Sequence, residues 1–429
     1  MQGKYLSRYA EPEARVIARA PPSRIYDYCL LVPAYRESAE LCQKLLSLAP
    51  GTENVVVILV LNRPDNSAPH RNDALRLAVE HFPLTETFED AHCQLHSLAP
   101  HLDVLLVERP QALPADQGVG LARKLAGDIA VALHEKGCIR SRWLHSTDAD
   151  AVLPPDYFSL AEQLPPDSVA IVHPFAHHQA MDLHREERAP DLAMNLYELR
   201  LHYYVLGLHR AASPYAFHTL GSCLSVDVEA YQQVRGFPRR SAAEDFYLLN
   251  KVAKLGPVAT GHAQITLEAR LSDRVPFGTG PAVQALAHSE EAATAPLFYH
   301  PECFCALACL LSSVGSLYQH TDPLQLLESQ LAQYSPAFEI LLNLGVEDCL
   351  QHCVKQSRSN ATFCRHFQQW FDGFRTLKFI HGLRDAGRRN LNLQQSLEHA
   401  DTPWPSREPE PAELLRQCRE HLGWSRTET

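Results

Sequence analysis

The sequence predicts an α/β protein: a mixed, mostly parallel sheet flanked by helices, followed by an all-α domain. Three observations predict it. Aliphatic runs unbroken by polar residues recur through the first two thirds of the chain. Such strands are buried on both faces, as in parallel sheets covered by helices. Stretches with helical apolar spacing lie between them, giving a β-α-β alternation. After about residue 290 the runs stop and only helical spacing continues.

Residues 1–24 are polar and close on Pro21-Pro22. They read as an extension packed on, or trailing from, the first domain. Tyr28 to Val32 is a short strand ending at Pro33, and Ser38 to Leu48 has helical spacing. Asn54 to Leu61 carries the run Val-Val-Val-Ile-Leu-Val-Leu, a central strand by composition. Asn72 to His81 reads as a helix, Asp103 to Val107 as a strand, Gly120 to Lys136 as a long helix and Val169 to Val172 as a fourth strand. Together these fill an α/β domain over 25–288. In 289–429 the stretches Leu324 to Tyr334, Val346 to Gln356 and Phe363 to Phe374 are helical by spacing. Cys303 to Leu317 is shorter than the roughly 18 apolar residues a spanning helix needs, so it reads as a buried helix. Pro403, Pro405, Pro409 and Pro411 mark an extended tail before a last helix near Ala412 to His421. These C-terminal helices are candidates for acceptor binding or for homo-oligomer contacts.

Bulk properties restrict the function. The 429 residues exceed one ordinary core and imply two or three domains. A net charge of −11 argues against a general nucleic-acid binder, although a few local cations can still hold a diphosphate. Met1 to Pro22 has no apolar leader, and the 12 cysteines are scattered through apolar runs. Reduced core thiols in a cytoplasmic protein, with no transmembrane segment, are expected. A zinc site from Cys303, Cys305, Cys309, Cys349, His352 and Cys353 lacks any paired Cys-x-x-Cys spacing.

In a parallel sheet, ligands sit beyond the carboxyl ends of the strands. The first strand ends in Pro33-Ala34-Tyr35-Arg36-Glu37, whose aromatic and carboxylate suit a nucleoside; a helix start favoured by Glu37 reads equally well. The second ends in Asn62-Arg63-Pro64-Asp65-Asn66, where Asn62 and Asp65 either accept from a base or sugar or form a plain turn. Gly118-Val119-Gly120 opens a helix with Arg123 and Lys124, a pattern that lets amides and cations approach phosphate, without P-loop spacing.

Trp143 to Ala151 runs from an apolar start into Asp148-Ala149-Asp150. On an extended segment these carboxylates share a side and can hold Mg²⁺ or Mn²⁺ bridging a diphosphate. About one such Asp-x-Asp is expected by chance in this composition, so its weight comes from following a strand. Further on, Gly221-Ser222 and Gly236-Phe237 precede Glu244-Asp245, either a dipole-favoured helix start or a general base. Arg270 and Arg274, beside a Gly-rich loop, suit a diphosphate or are simply solvated.

In this order, Val32-Pro33-Ala34-Tyr35, Asp148-Ala149-Asp150, Gly221-Ser222, Gly236-Phe237 and Glu244-Asp245 resemble the family-two inverting glycosyltransferases of the GT-A fold, over roughly residues 25–280. The resemblance implies a nucleoside-diphosphate sugar donor and Mn²⁺ or Mg²⁺. It places Pro33, Tyr35 and Glu37 at the nucleoside, Asp148 and Asp150 at metal and ribose, Asp245 as catalytic base with Glu244 the alternative, and Arg270 or Arg274 at the diphosphate. Asn62-Arg63-Pro64-Asp65 departs from the family's usual Asp-Asp-Gly-Ser, so the base contact is not carried over. The processive Gln/Trp motif is absent, which implies single sugar addition to an acceptor the sequence does not name. His262 and His173 are both open as a third metal ligand. Two rivals stand beside this reading. A sugar-phosphate nucleotidyltransferase should carry glycines in the first loop, which has none. A non-catalytic sugar-nucleotide or glycan binder has no need for Asp245.

Overall fold

A computed structural model describes residues 3–48, 52–178, 191–269, 279–288 and 294–424. The chain divides into two compact units, one within 1–188 and 219–282, the other within 189–218 and 283–429.

Among the described residues the first unit has twelve strands: β1 (Tyr28–Ala34), β2 (Val55–Leu61), β3 (Leu84–Phe88), β4 (Cys93–Ala99), β5 (Leu102–Val107), β6 (Trp143–Ser146), β7 (Ala151–Val152), β8 (Ala170–Val172), β9 (Phe175–His178), β10 (Leu224–Asp227), β11 (Val258–Thr260) and β12 (Ile265–Glu268). Nine form one sheet in the order β11-β8-β10-β6-β1-β2-β5-β4-β3, and β7-β12-β9 form a small second sheet. In the large sheet only β4 and β10 run against the common direction. The expected parallel strands are present because their residues are apolar on both faces; every residue of β2 and β5 is buried. β1 runs two residues further than its proline suggested, with Pro33 opposite Val60 and Ala34 opposite Leu61. Ala34 O accepts from Asn62 N, so the ring nitrogen of Pro33 faces β6. Pairing to β6 has already ended at Leu31, so no ladder donor is lost.

The Gly118–Glu135 helix packs on β1 and β2 and is buried along almost its whole length. Its Arg123, Lys124 and Asp128 are therefore interior charges that need partners. Residues 3–24 pack on this unit: the Pro12–Ile17 helix lies against Gly118–Glu135, and Leu6, Ala14 and Ile17 are fully buried.

The second unit is helical: Asp191–Arg210, Pro301–Leu317, Pro323–Leu331, Ala337–Asn343, Val346–Gln356, Asn360–Trp370, Gly373–Asp385, Leu393–Glu398 and Pro411–His421. The stretch 189–218, which the sequence reading placed inside the sheet domain, belongs here. Pro301, Pro323 and Pro411 open three helices, and Asp322, Ser359, Asp372 and Asn392 cap four. The expected helix over 363–374 is in fact two, because Asp372 caps a new start. Phe304, Phe363, Phe367, Phe371 and Phe379 are buried side chains of the unit. No helix among the described residues is long and apolar enough to cross a membrane.

Candidate active site

Three parallel strands, β1, β2 and β6, end at one edge of the large sheet. Because β10 is antiparallel to β6, with Leu224 opposite Ser146, the turn at Gly221–Cys223 comes beside Thr147 and Asp148. Arg123, from the long helix, ties these pieces together. Its Nε donates to Glu244 Oε1 at 2.9 Å, Nη1 to Ser146 Oγ at 2.8 Å, and Nη2 to Asp148 Oδ1 at 2.6 Å. Its side chain is 3% exposed. Burial works against the guanidinium charge, but Asp148, Glu244 and Asp245 outweigh it and hold its pKa above the usual range. Removing one member of such a buried set leaves an uncompensated charge, typically about 3–5 kcal/mol. Gly221 is required by the same contact, since a Cβ there would sit 2.5 Å from Arg123 Nη2.

The two acidic residues at the start of the Glu244–Val252 helix part company. Glu244 is buried against Arg123. Asp245 is half-buried and accepts from the backbone N–H groups of Phe246, at 2.6 Å, and Gly221. Its carboxyl is pushed up to about 7, first by desolvation and next by the charge of Glu244; the two N–H groups and Arg123 pull the other way. A carboxylate poised near neutral pH is suited to proton transfer. Ala243, just before, adopts φ 60°, a left-handed conformation that costs a non-glycine residue about 1–3 kcal/mol and persists where the surroundings enforce it.

Several sequence expectations need correction. Arg123 and Lys124 are not open cations at a helix start. Arg123 is spent on the cluster above. Lys124 Nζ points to Asp128 at 3.1 Å, Tyr5 Oη at 3.2 Å and the carbonyl of Arg235 at 3.4 Å. The glycines ahead of them admit protein rather than phosphate: Gly120 N donates to Arg240 O at 3.0 Å, and a Cβ at Gly120 would lie 2.5 Å from the carbonyls of Arg240 and Pro238. Asp148-Ala149-Asp150 is a turn closed by Ala151 N to Asp148 O at 3.1 Å, so the extended-strand argument for a shared side does not apply. Asp148 is held by Arg123; Asp150 leads directly into β7 and its carbonyl accepts from Glu268 N. The Asp148 carboxyl lies above the usual range, through desolvation first and then repulsion by Asp150 and Glu244, against the pull of Arg123.

At the β1 and β2 ends, Tyr35 Oη lies 2.8 Å from Ser67 Oγ, joining the two loops. Pro33 is a strand residue, and Glu37 is half-buried in the turn before the Glu40–Ser47 helix. Asp65 is exposed and acts as a turn residue, its Oδ1 accepting from Ala115 N at 3.3 Å. Asn62 is 7% exposed, yet its Oδ1 has no hydrogen-bond partner among the described residues. A buried acceptor left unpaired costs about 1–3 kcal/mol, so a donor from a ligand would relieve it. Arg270 and Arg274 lie outside the described residues.

Glycosyltransferases are among the solved structures that resemble the chain. A mannosyltransferase from Pyrobaculum calidifontis, PcManGT, in complex with GDP-Man and Mn²⁺ is 17% identical over 85% of this chain and 92% of its own, with a TM-score of 0.34. S. aureus TarS 1–349 in complex with UDP-GlcNAc is 13% identical over 80% and 91%, with a TM-score of 0.36. A mycobacterial protein is 14% identical over 76% and 80%, with a TM-score of 0.31. At such scores the likeness fixes neither activity nor ligand. No family model matches the chain, and no curated protein does.

Sequence reasoning missed a second polar cluster. His145 Nδ1 and His173 Nε2 both meet Ser225 Oγ, at 2.8 and 2.9 Å, with Tyr157 Oη at 3.4 Å. Burial pushes His173 down to about 3, so it is neutral. It is engaged inside the sheet, and His262 is exposed. Around Asp148 and Asp150, no third His, Cys, Asp or Glu converges among the described residues. That donor set still fits Mg²⁺ or Mn²⁺, which commonly take one or two carboxylates and complete their shell with water and phosphate oxygens. Asp148 is raised by desolvation first, and the further rise from repulsion by Asp150 and Glu244 is what a dication would offset.

Proposed function

We propose that the chain is a metal-dependent inverting glycosyltransferase that moves a sugar from a nucleoside-diphosphate sugar to an acceptor hydroxyl. One observation carries the reading: Asp148, Glu244 and Asp245 gather around the single buried Arg123 at the carboxyl edge of a parallel sheet, with Asp245 poised near neutral pH. Asp245 takes the proton of the acceptor hydroxyl as that oxygen attacks the anomeric carbon. Glu244 does not share that task; it holds Arg123, which in turn orients Asp148. Asn62 and Tyr35 line the nucleoside end. Asp150 and Asp148 would hold Mn²⁺ or Mg²⁺, which supplies positive charge to a departing diphosphate. Arg270 and Arg274 remain the proposed diphosphate cations, since Arg123 and Lys124 have interior partners.

The test is incubation with a panel of nucleotide sugars, with Mn²⁺ or with EDTA, following free sugar and nucleoside diphosphate. Slow hydrolysis of one donor, lost in EDTA, is the expected result. Full turnover in EDTA overturns the metal role. Pyrophosphate release from a nucleoside triphosphate plus sugar phosphate, or binding without turnover, overturns transfer.

A further inference from the structure

We infer that the N-terminal extension, residues 3–20, is a positioning element for the Glu244–Asp245 turn, acting through the loop 235–243. The inference rests on the proposed role of that turn. Three contacts join extension and loop. The guanidinium of Arg239 reaches Glu11 Oε1 at 2.5 Å, with the arginine side chain 49% exposed and the glutamate 4% exposed. Arg235 lies over the Tyr9 ring, 4.7 Å from its centre. Gly236 has φ 71°, and a Cβ there would come within 2.7 Å of Tyr5 Oη.

The extension is itself fixed. Glu11 N and Tyr5 Oη both donate to buried Asp128, and Arg109 bridges Glu11 Oε2 at 2.8 Å and Glu13 Oε1 at 2.6 Å. On its other side the loop is pinned to the long helix by Gly120 N to Arg240 O. It then delivers Ala243 in its left-handed conformation directly before Glu244. A backbone held in so unfavourable a state needs enforcement from outside, and the extension supplies one wall of it. The helix whose Asp128 accepts from the extension also presents Arg123 to the catalytic cluster. One packed unit therefore sets both halves of the site.

Arg239→Ala is the informative variant, because an exposed arm is removed and the fold keeps its core. Displacement of a catalytic group by a fraction of an ångström to 1 Å costs up to about a hundredfold in rate, so a fall of about tenfold in kcat is expected. The donor KM should stay within about twofold, and Arg239→Lys should restore most of the rate because it keeps the charge opposite Glu11. Hydrogen exchange provides a readout independent of turnover: the amides of Gly120 and Tyr247, bonded to Arg240 O and Ala243 O, should exchange faster in Arg239→Ala, while those of β2 stay protected. Unchanged exchange at both amides, or unchanged kcat, overturns the inference. If wild-type protein turns over no nucleotide sugar, the proposed function fails, and the exchange experiment still decides the positioning role.

Discussion

At the scale of single residues, Asp245 and Asn62 are the informative positions. Asp245→Asn should lower kcat by about 10² to 10⁴, the usual loss for a general base, while donor affinity stays within a few fold. Glu244→Gln should cost less if its role is only to hold Arg123. The sign of the pH effect follows from the raised Asp245 pKa of about 7. A base works when deprotonated, so kcat/KM should rise with pH through roughly 7 and level off above it, and a carboxylate of ordinary pKa would place that limb near 4. A profile flat from pH 5 to 8 overturns the raised pKa of Asp245, and its role as base then rests on the Asp245→Asn variant alone. Asn62 makes the opposite kind of prediction. Its Oδ1 is buried without a partner among the described residues, so Asn62→Ala should leave the melting temperature of the free protein unchanged or raised and weaken nucleotide binding by about tenfold, one hydrogen bond's worth. Isothermal titration with the preferred nucleotide measures it. That Asn62 follows a strand and Asp245 starts a helix was legible in the sequence. That Arg123 lies on a helix was legible; its burial was not read. The signal was present: Arg123, Lys124 and Asp128 are set among apolar residues and glycines in an 18-residue helix, and interior charges pair.

At the scale of elements, the central strands were legible and the edges were not. β2 and β5 are continuous apolar runs, whereas β3 reads Leu-Thr-Glu-Thr-Phe and is mostly exposed at the sheet edge. β10 is four residues long, and only its antiparallel pairing with β6 places Gly221 beside Asp148. That pairing is a long-range fact which no local pattern encodes. The Asp191–Arg210 helix likewise carries no mark of which unit it joins. The Gly118-Val119-Gly120 pattern was misread because backbone approach to phosphate and to protein need the same residue. Gly120→Ala separates the two. Its Cβ meets two carbonyl oxygens, which are backbone and cannot swing aside. Overpacking of that kind costs about 1–3 kcal/mol, so urea unfolding of the sheet unit should shift by that amount. The loop carrying Arg240 should also move, and kcat should fall with it. Stability equal to wild type would show that the loop yields freely, contrary to the packing described.

At the scale of the whole molecule, charge and architecture combine into one measurement. The chain carries a net −11, and its candidate site gathers Asp148, Glu244 and Asp245 around Arg123, with Asp150 beside Asp148. A nucleoside diphosphate brings further negative charge to that place, so its binding should depend on a divalent cation to offset the repulsion. Each of the two units has its own buried core, so each can unfold as a cooperative body, and calorimetry should resolve two transitions. The residues proposed to hold donor and metal all belong to the unit within 1–188 and 219–282. A ligand that binds only the folded form stabilises it by about 2.7 kcal/mol at a hundredfold excess over Kd. For a unit of this size that corresponds to an upward shift of roughly 5 to 10 °C. The expected pattern is specific: one transition moves with nucleotide sugar and Mn²⁺ together, neither moves with nucleotide sugar alone, and EDTA reverses the shift. The second transition, from the helical unit, should stay in place throughout. A shift of both transitions by donor alone would place the nucleotide elsewhere and detach Asp148 and Asp150 from its binding.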